Sequence, residues 1–491
     1  MSKRAIVIGS GFAGMSAASF LARDGWQVTV LEKHDQPGGR ARLMQAEGFT
    51  FDMGPSWYWM PDVFERYFHQ FGKKVSDYYE LMRLDPSYRV YWQDDEWDIP
   101  AEYEAYRALL EKMEPGAANA LDKVMKEAAY KYEVGIRNLV FKPGQSWLEF
   151  LDADLLKGLF RLDVFTSIKA HFGRHFRHSK IRELMEFPVL FLGALAENTP
   201  ALYSLMNYAD IKGGTWFPKG GMYSIVKAMH RLAEEQGVQF VFNADVKAIR
   251  TDGNVTSGVE AGDRFYEADV VVSGADYHFT ETRLLPENAR SYTEKYWEKR
   301  VMAPSCLLYF VGVGKKIPGL QHHSLFFDTP FAPHARDIYT TPRWPDEPLF
   351  YVSATSVTDD TQAPPGCENL FFLVPVATGL QGDDETLRKK YFEKIVKRFE
   401  QRTGTPIMQD ILYYRSYASS DFINDHNAFK GNAYGLANTL LQTAVLKPSC
   451  RSKKLENLYY VGQLTVPGPG VPPSLISGEV VAGLIKQNCH S

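Results

Sequence analysis

Apolar and polar positions fall into short blocks along the first thirty residues. Residues 5–8 form an apolar run of the kind found in a buried parallel strand. A glycine-rich turn follows, and then a helical pattern over 15–23 that Gly25 ends. A second apolar run over 27–31 predicts another strand, with Glu32 directly after it. The pattern therefore predicts a strand–turn–helix–strand unit at the start of an α/β fold.

Three glycines in the turn have separate physical roles. Gly9 permits a tight turn, Gly11 lets the backbone approach a pyrophosphate, and Gly14 lets the helix pack closely on the strand. The first turn of the helix offers free N–H groups to the phosphates. Glu32 stands 21 positions after Gly11, where a carboxylate accepts hydrogen bonds from ribose hydroxyls and disfavours a 2′-phosphate. The segment is thus predicted to bind a dinucleotide.

A second glycine-rich segment lies just beyond the acid. Gly38 and Gly39 precede Arg40, which combines a close backbone approach with a fixed cation. Residues 48–55 then predict a strand that enters a turn at Gly54. A second contact with the diphosphate or with a flavin favours FAD over NAD as the cofactor.

The C-terminal part of the chain carries a second set of glycines. An apolar strand is predicted to end at Gly462, and a loop rich in proline and glycine spans 465–472 and contains Gly470 and Val471. A helix is predicted from Glu479. Such a loop can press its backbone against a flat ring, and its N–H groups and the helix dipole stabilise negative charge on a reduced flavin.

Together these motifs resemble the FAD-dependent amine oxidase and carotenoid desaturase superfamily. The GxGxPxxxxSG pattern that ends at Gly478 resembles the bacterial phytoene desaturase type, and the resemblance spans the whole chain. It implies a Rossmann-like FAD-binding domain with a discontinuous α+β substrate domain, and a backbone contact of Val246 with the adenine. Gln463, Pro473 and Ser474 depart from the residues common in that family.

The FAD-binding domain is predicted to be discontinuous, because nucleotide-type strands and glycine turns recur in separate parts of the sequence. We assign it residues 1–85, 213–285 and 440–491. The substrate domain takes 86–212 and 286–439.

Apolar and aromatic residues predict a large apolar interior in the substrate domain. Runs at 305–313 and 369–376 are typical of buried strands. Aromatic residues make up 14% of the chain, which fits either a long apolar cavity or an aromatic-rich core. Four residues after the Gly54 turn are predicted to line the cavity near the flavin, with plain core packing as the alternative: Trp57, Tyr58, Trp59 and Met60.

Charge and cysteine usage exclude several function classes. The net charge is −4, whereas binding to nucleic acid requires a basic surface. The four cysteines lack the spacing of a disulfide framework or a zinc site, and the histidines lack an H-E-x-x-H spacing, so no metal is predicted. A reducing cytoplasmic compartment is expected.

Residues 155–185 combine basic and apolar side chains. This composition fits a surface helix that touches anionic lipid, and the alternative is a solvated helix face packed on the core. No apolar stretch reaches the length of a membrane span. We expect peripheral association with the inner face of the cell membrane.

The predicted reaction is desaturation of phytoene towards lycopene. FAD accepts a hydride from an allylic carbon, a base or solvent takes the neighbouring proton, and oxygen or a quinone reoxidises the flavin. Glu149 lies among apolar residues and is the candidate for proton transfer, with an ordinary exposed glutamate as the alternative. Binding of the long isoprenoid chain is expected to supply most of the catalysis.

Several alternatives share the same fold. Two alternatives keep the desaturation reaction but change the substrate, to a hydroxycarotenoid or to the thirty-carbon diapophytoene. A flavin amine oxidase would release hydrogen peroxide from an amine, and a carotenoid cis–trans isomerase would give a product of unchanged mass. A non-catalytic prenyl-protein escort predicts a degraded glycine motif, whereas the motif here is intact.

Overall fold

The computed structural model describes residues 3–150, 162–190 and 195–490. Its strands are β1 (Arg4–Ile8), β2 (Gln27–Leu31), β3 (Leu43–Ala46), β4 (Phe49–Asp52), β5 (Leu81–Arg83), β6 (Tyr88–Trp92), β7 (Glu96–Ile99), β8 (Trp216–Pro218), β9 (Gln239–Val241), β10 (Val246–Asp252), β11 (Val255–Ala261), β12 (Arg264–Glu267), β13 (Val270–Ser273), β14 (Ser305–Val313), β15 (His323–Phe327), β16 (Phe350–Ser353), β17 (Glu368–Val376), β18 (Ile411–Tyr417) and β19 (Leu458–Tyr460). Its α-helices are α1 (Phe12–Arg23), α2 (Pro61–His69), α3 (Tyr103–Met113), α4 (Ala117–Arg137), α5 (Ile168–His175), α6 (Ser179–Leu190), α7 (Leu205–Tyr208), α8 (Tyr223–Glu235), α9 (Tyr277–Phe279), α10 (Glu294–Glu298), α11 (Phe331–Tyr339), α12 (Glu385–Thr403), α13 (Ser419–His426) and α14 (Val471–His490).

A five-stranded parallel sheet holds the N-terminal motif. Its order is β19-β13-β1-β2-β9, so that β1 is central. Val7 packs among residues of α1, α8 and α14 on one face, whereas Ile6 and Ile8 pack towards the three-stranded sheet β10-β11-β12 on the other. Both faces are covered, which explains why β1 reads as a continuous apolar run.

The C-terminal helix starts earlier than its sequence pattern predicts. α14 begins at Val471 rather than at Glu479, and Pro472 and Pro473 stand in its first turn. Proline is compatible with this position because N–H groups of the first turn have no intrahelical acceptor. The prediction from Glu479 was wrong because prolines were interpreted as loop residues.

A seven-stranded mixed sheet forms the second large layer. Its order is β18-β14-β17-β16-β15-β6-β7; the β15–β6 pair is parallel and the other pairs are antiparallel. The long strands β14 and β17 are aligned from Ser305 opposite Val376 to Val313 opposite Glu368. Alternate residues of a strand face opposite sides, so one face of β14 packs on α12 and the other faces the interior.

The basic helix α5 uses its apolar side for core packing. Ile168 and Phe172 are fully buried, and Lys169 pairs with Glu197 at the surface. These contacts favour the solvated helix packed on the core over a helix that offers an apolar face to lipid. Residues 151–161, which the membrane prediction also included, lie outside the described residues.

Candidate cofactor and substrate site

One cavity of about 920 Å³ connects the parallel sheet with the seven-stranded sheet. Its lining includes the residues predicted from sequence to bind the cofactor: Gly9, Gly11, Gly14, Glu32, Gly38, Gly39, Arg40, Gly54, Val246, Gly462, Gly470 and Val471. They come from both ends of the chain and from its middle. The fold therefore brings the separate motifs together in the lining of one cavity, and we call these twelve residues the glycine wall.

Glu32 stands at the end of β2 with a fully oriented carboxylate. Its Oε2 accepts hydrogen bonds from the N–H and the hydroxyl of Ser10, at 2.8 and 2.7 Å, and its Oε1 accepts one from the N–H of His34 at 3.0 Å. A carboxylate has about four acceptor sites, so capacity for a ribose hydroxyl remains. The backbone carbonyl of Glu32 accepts from the N–H of Ala244, which holds Val246 in the same part of the wall.

Helix α1 points its N-terminus into the cavity. Gly11 caps it without a side-chain hydrogen bond, so the backbone N–H groups of the first turn remain the donors. A Cβ on Gly14 would lie 2.1 Å from the carbonyl oxygen of Gly9, so a side chain there would push the helix off the turn. This arrangement fits a pyrophosphate at a helix N-terminus.

Arg40 supplies a cation to the same wall. Its Nη2 donates to the carbonyl of Asn432 at 3.4 Å, while its Nε is buried without a hydrogen-bond partner among the described residues. Burial lowers the pKa of Arg40, and the nearby Asp276 carboxylate opposes that shift. A buried guanidinium with an unused donor fits an anionic or hydrogen-bonding group of FAD.

Contacts of the C-terminal motif bind its loop to helix α14, which packs closely on α1. The Ser477 hydroxyl donates to the carbonyl of Val466 at 2.9 Å and accepts from the N–H of Gly462 at 3.0 Å. A Cβ on Gly478 would lie 2.5 Å from the N of Ala17, so α14 crosses α1 closely at this point. These contacts hold the loop up to Gly470 against the cavity.

Another wall of the cavity is apolar. Trp57, Trp59 and Met60 line it, as the sequence predicts. Tyr58 does not: it is fully buried, and its hydroxyl hydrogen-bonds the hydroxyl of Tyr79 at 2.8 Å, so its prediction as a lining residue was wrong. Strands β14, β16 and β17 add further lining side chains, which sequence patterns did not single out: Cys306, Leu308, Tyr351, Phe371 and Leu373.

Some of the apolar side chains that line the cavity are also exposed to solvent. Trp147, Phe165 and Leu446 line it, and they are 61%, 85% and 39% exposed, respectively. Leu148 and Leu441, next to these segments in sequence, are each 76% exposed. We call these five residues the apolar rim. Exposed large apolar side chains that line a cavity indicate a binding surface.

Glu149 does not reach the cavity. Its carboxylate accepts hydrogen bonds from the N–H groups of Gly144, Gln145 and Ser146 at 2.9, 2.7 and 3.0 Å. These bonds close a short loop next to Trp147, and Glu149 is not among the described lining residues. The geometry thus gives Glu149 a loop-closing role in place of proton transfer.

Lys447 is a buried cation that sequence reasoning missed. It is 5% exposed, and its Nζ donates to Oδ1 of Asn438 at 3.0 Å. No carboxylate of the described residues forms an ion pair with it, and burial lowers its pKa to about 8. A Cβ on Gly468 of the C-terminal loop would lie 3.0 Å from this Nζ. A lysine between apolar neighbours gives no sequence signal that it is buried beside such a loop.

These features match a known family. The sequence profile of flavin containing amine oxidoreductases matches residues 12–485. This chain belongs to that family. It is an FAD-dependent oxidoreductase, and the glycine wall, Glu32 and the unpaired Nε of Arg40 fit the cofactor.

Several proteins that are similar to this amine oxidoreductase family member over its full length are carotenoid desaturases. It is 40% identical over 480 residues to a carotenoid 3,4-desaturase of Haloarcula japonica, covering 97% of this chain and 96% of that protein. It is 32% identical to a zeta-carotene-forming phytoene desaturase of Myxococcus xanthus, covering 100% and 95%. A lycopene-forming phytoene desaturase of Pantoea ananas is 29% identical, covering 99% of both proteins. The chain is thus placed in the carotenoid desaturase family.

Solved structures of the wider family share the fold. An oxidoreductase from Methanosarcina mazei superposes with a TM-score of 0.64 at 16% identity, covering 98% of this chain and 100% of that one. Cyclohexylamine oxidase from Brevibacterium oxydans gives a TM-score of 0.61 at 13% identity, covering both chains fully. At such identities the likeness concerns the fold.

Among the described residues, no helix combines the length and apolar character needed to cross a bilayer.

Proposed function

We propose that this protein is a carotenoid desaturase that converts phytoene towards lycopene. The observation that carries the proposal is the cavity, whose lining combines the glycine wall with Trp57 and Trp59 and with three residues of the apolar rim, namely Trp147, Phe165 and Leu446. A long apolar chain fits such a space, because burial of its surface is favourable along the whole length. The names of the relatives support the same class of isoprenoid substrate.

Each part of the wall has a proposed task. FAD, when bound, supplies the hydride acceptor for the allylic carbon. The glycine turns, Glu32 and Arg40 bind its nucleotide part, while the loop at Gly470 and Val471 contacts the ring system. The sheet wall holds the carbon chain in line and excludes water. The proposed domain limits are those assigned from sequence.

The apolar rim is the proposed entrance from the membrane surface. Phytoene-like chains dissolve in a bilayer, and Trp147 and Phe165 are both exposed and part of the cavity lining. Aromatic side chains favour the interface between lipid and water. We therefore propose that the substrate is delivered from the inner face of the cell membrane. We also propose a quinone or oxygen as the final electron acceptor.

A second candidate is 3,4-desaturation of a carotenoid that is already partly unsaturated. The 40% identity to the Haloarcula japonica enzyme favours it. Hydroxylated and thirty-carbon substrates belong to the same class of reaction, since each loses two hydrogens per step.

A reconstitution separates these candidates. Purified protein with FAD is incubated with liposomes that contain either phytoene, diapophytoene, a hydroxycarotenoid or lycopene, and product absorption and mass are recorded. We expect new long-wavelength bands and the loss of two hydrogens per step from phytoene. Reaction of lycopene alone would favour 3,4-desaturation.

The matched control is the same protein without FAD. A product of unchanged mass would support the isomerase, and hydrogen peroxide formed from added amines would support the amine oxidase. No change in any carotenoid, with FAD demonstrably bound, would refute the desaturase proposal.

A further inference from the structure

The helices α4 and α5 bring together three side chains of the kind that bind transition metals, at a place outside the glycine wall. His171 and His175 lie one turn apart on α5, and Glu127 lies on α4, which packs against it. One ligand atom of each lies within 4.8 Å of the other two. His171 Nε2 is 3.8 Å from a carboxylate oxygen of Glu127. Two nitrogen donors and one oxygen donor therefore face one point.

His171 is the residue that points to a ligand. Its side chain is 3% exposed, and its Nε2 is buried without a hydrogen-bond partner among the described residues. Leaving a buried polar atom unpaired costs about 1–3 kcal/mol, so such an atom in a native fold calls for a further partner. The neutral form of an imidazole offers this nitrogen lone pair to a metal ion.

The surrounding charges define the kind of ion. Lys131 lies fully buried next to the cluster, but Asp163 pairs with it at 2.9 Å. A buried ammonium beside the cluster disfavours an ion held by charge alone, so the imidazole and carboxylate donors decide which ion binds.

We propose that Glu127, His171 and His175 form a zinc-type transition-metal site that joins α4 to α5. Zinc bonds of about 2.0–2.2 Å place tetrahedral ligand atoms roughly 3.3–3.6 Å apart, so ligand atoms that lie up to 4.8 Å apart approach one another by up to about 1.5 Å on binding. Rotation of the exposed Glu127 side chain supplies this movement. Imidazole nitrogens select zinc or a similar ion over magnesium and calcium, which take oxygen ligands.

The position of the site gives it a structural consequence. Ile136 near the end of α4 and Phe165 shortly before α5 both line the cavity. An ion that joins the two helices fixes these two parts of the wall relative to each other. The site is independent of the glycine wall, so its test does not depend on the proposed substrate.

The test uses full-length FAD-loaded protein that has been stripped with a chelator and then exposed to zinc chloride. We expect one zinc per chain after gel filtration, measured by elemental mass spectrometry, and a zinc-dependent rise in the unfolding temperature. Glu127→Gln and His175→Gln each remove one ligand at a partly exposed position. Since loss of an outer partner alone costs about 10–100-fold in affinity, each variant is expected to bind zinc roughly a hundredfold more weakly or worse.

Two variants control for unspecific uptake. Glu133→Gln lies on the same helix α4, and His69→Gln removes an exposed histidine elsewhere. Both are expected to retain one zinc. Cobalt(II) bound in place of zinc should add visible bands beyond the flavin absorption that disappear in His175→Gln. Wild-type protein that retains no zinc, or ligand variants that retain as much as wild type, would overturn the site.

Discussion

Gly11→Ala separates the cofactor-binding role of the glycine turn from its structural role. Gly11 has φ −69° and ψ 172°, an extended conformation open to any residue, and an added Cβ would meet no atom of the described residues within 4 Å. The protein itself therefore has room for the methyl group. The open space lies in the wall where the helix N-terminus faces the cavity, which is the place proposed for the pyrophosphate.

The magnitudes differ for the two effects. Alanine is a poorer N-cap than glycine by about 0.5–1 kcal/mol, and it restricts the unfolded chain by about 0.4–1 kcal/mol in the opposite sense. The stability of the FAD-free protein should then change by less than about 1 kcal/mol. Crowding of the bound pyrophosphate costs about 1–3 kcal/mol, which corresponds to roughly 5- to 150-fold weaker FAD binding.

The assay measures both quantities on the same preparations. FAD affinity is obtained by titrating apoprotein and following flavin fluorescence, and stability by urea unfolding of the apoprotein. Gly483→Ala is the matched control, because it also lies in open space but outside the cavity lining. Gly14→Ala, which meets the carbonyl of Gly9, should lose stability as well as FAD. Unchanged FAD affinity in Gly11→Ala would refute the placement of the pyrophosphate.

Three further predictions concern single buried groups. Glu32→Gln should weaken FAD binding by about 10–100-fold, since charge-assisted hydrogen bonds contribute about 1.5–3 kcal/mol. The control Glu267→Gln changes a surface carboxylate and should leave FAD binding unchanged. Fluorescence titration measures the FAD affinity of both variants. Lys447→Met should raise the free energy of unfolding at pH 7 by up to about 3 kcal/mol, because burial lowers the pKa of Lys447 to about 8 and the charged lysine therefore destabilises the folded protein below pH 8. This gain in stability should vanish above pH 10.5. Equal unfolding curves of variant and wild type at pH 7 would contradict the prediction. His334 accepts the N–H of Leu349 at Nδ1, and burial lowers its pKa to about 4, so its contribution is present above pH 6.5 and lost as the pH falls towards 4. Other buried histidines with a lowered pKa, such as His171, lose stability in the same range, so the variant is compared with wild type. Between pH 7 and pH 5, His334→Gln should lose about 2 kcal/mol less than wild type in urea unfolding, and equal losses would contradict the prediction.

Local sequence determined the parts of the site that depend on the backbone. The glycine turn, helix α1 and Glu32 follow one another within a few residues, and their spacing alone fixes a helix N-terminus next to an acid. The long strands β14 and β17 also follow from their apolar runs. Such features need only short-range geometry, so a single sequence is enough to predict them.

Side-chain direction was decided by tertiary packing. Trp57 and Trp59 face the cavity while Tyr58 between them points to Tyr79, because neighbouring residues of an extended segment face opposite sides. Glu149 turned to the amides of its own loop, since those N–H groups offered a closer partner than the cavity.

The proposed metal site also depends on tertiary packing that local sequence does not reveal. His171 and His175 are one turn apart and visible in the sequence, but Glu127 precedes them by more than forty positions on another helix. Helix packing alone brings the carboxylate to the imidazoles. Sequence determined the elements and the cofactor motif of this protein, whereas the cavity wall and the cluster arose from contacts between residues distant in the chain, which depend on how the layers pack.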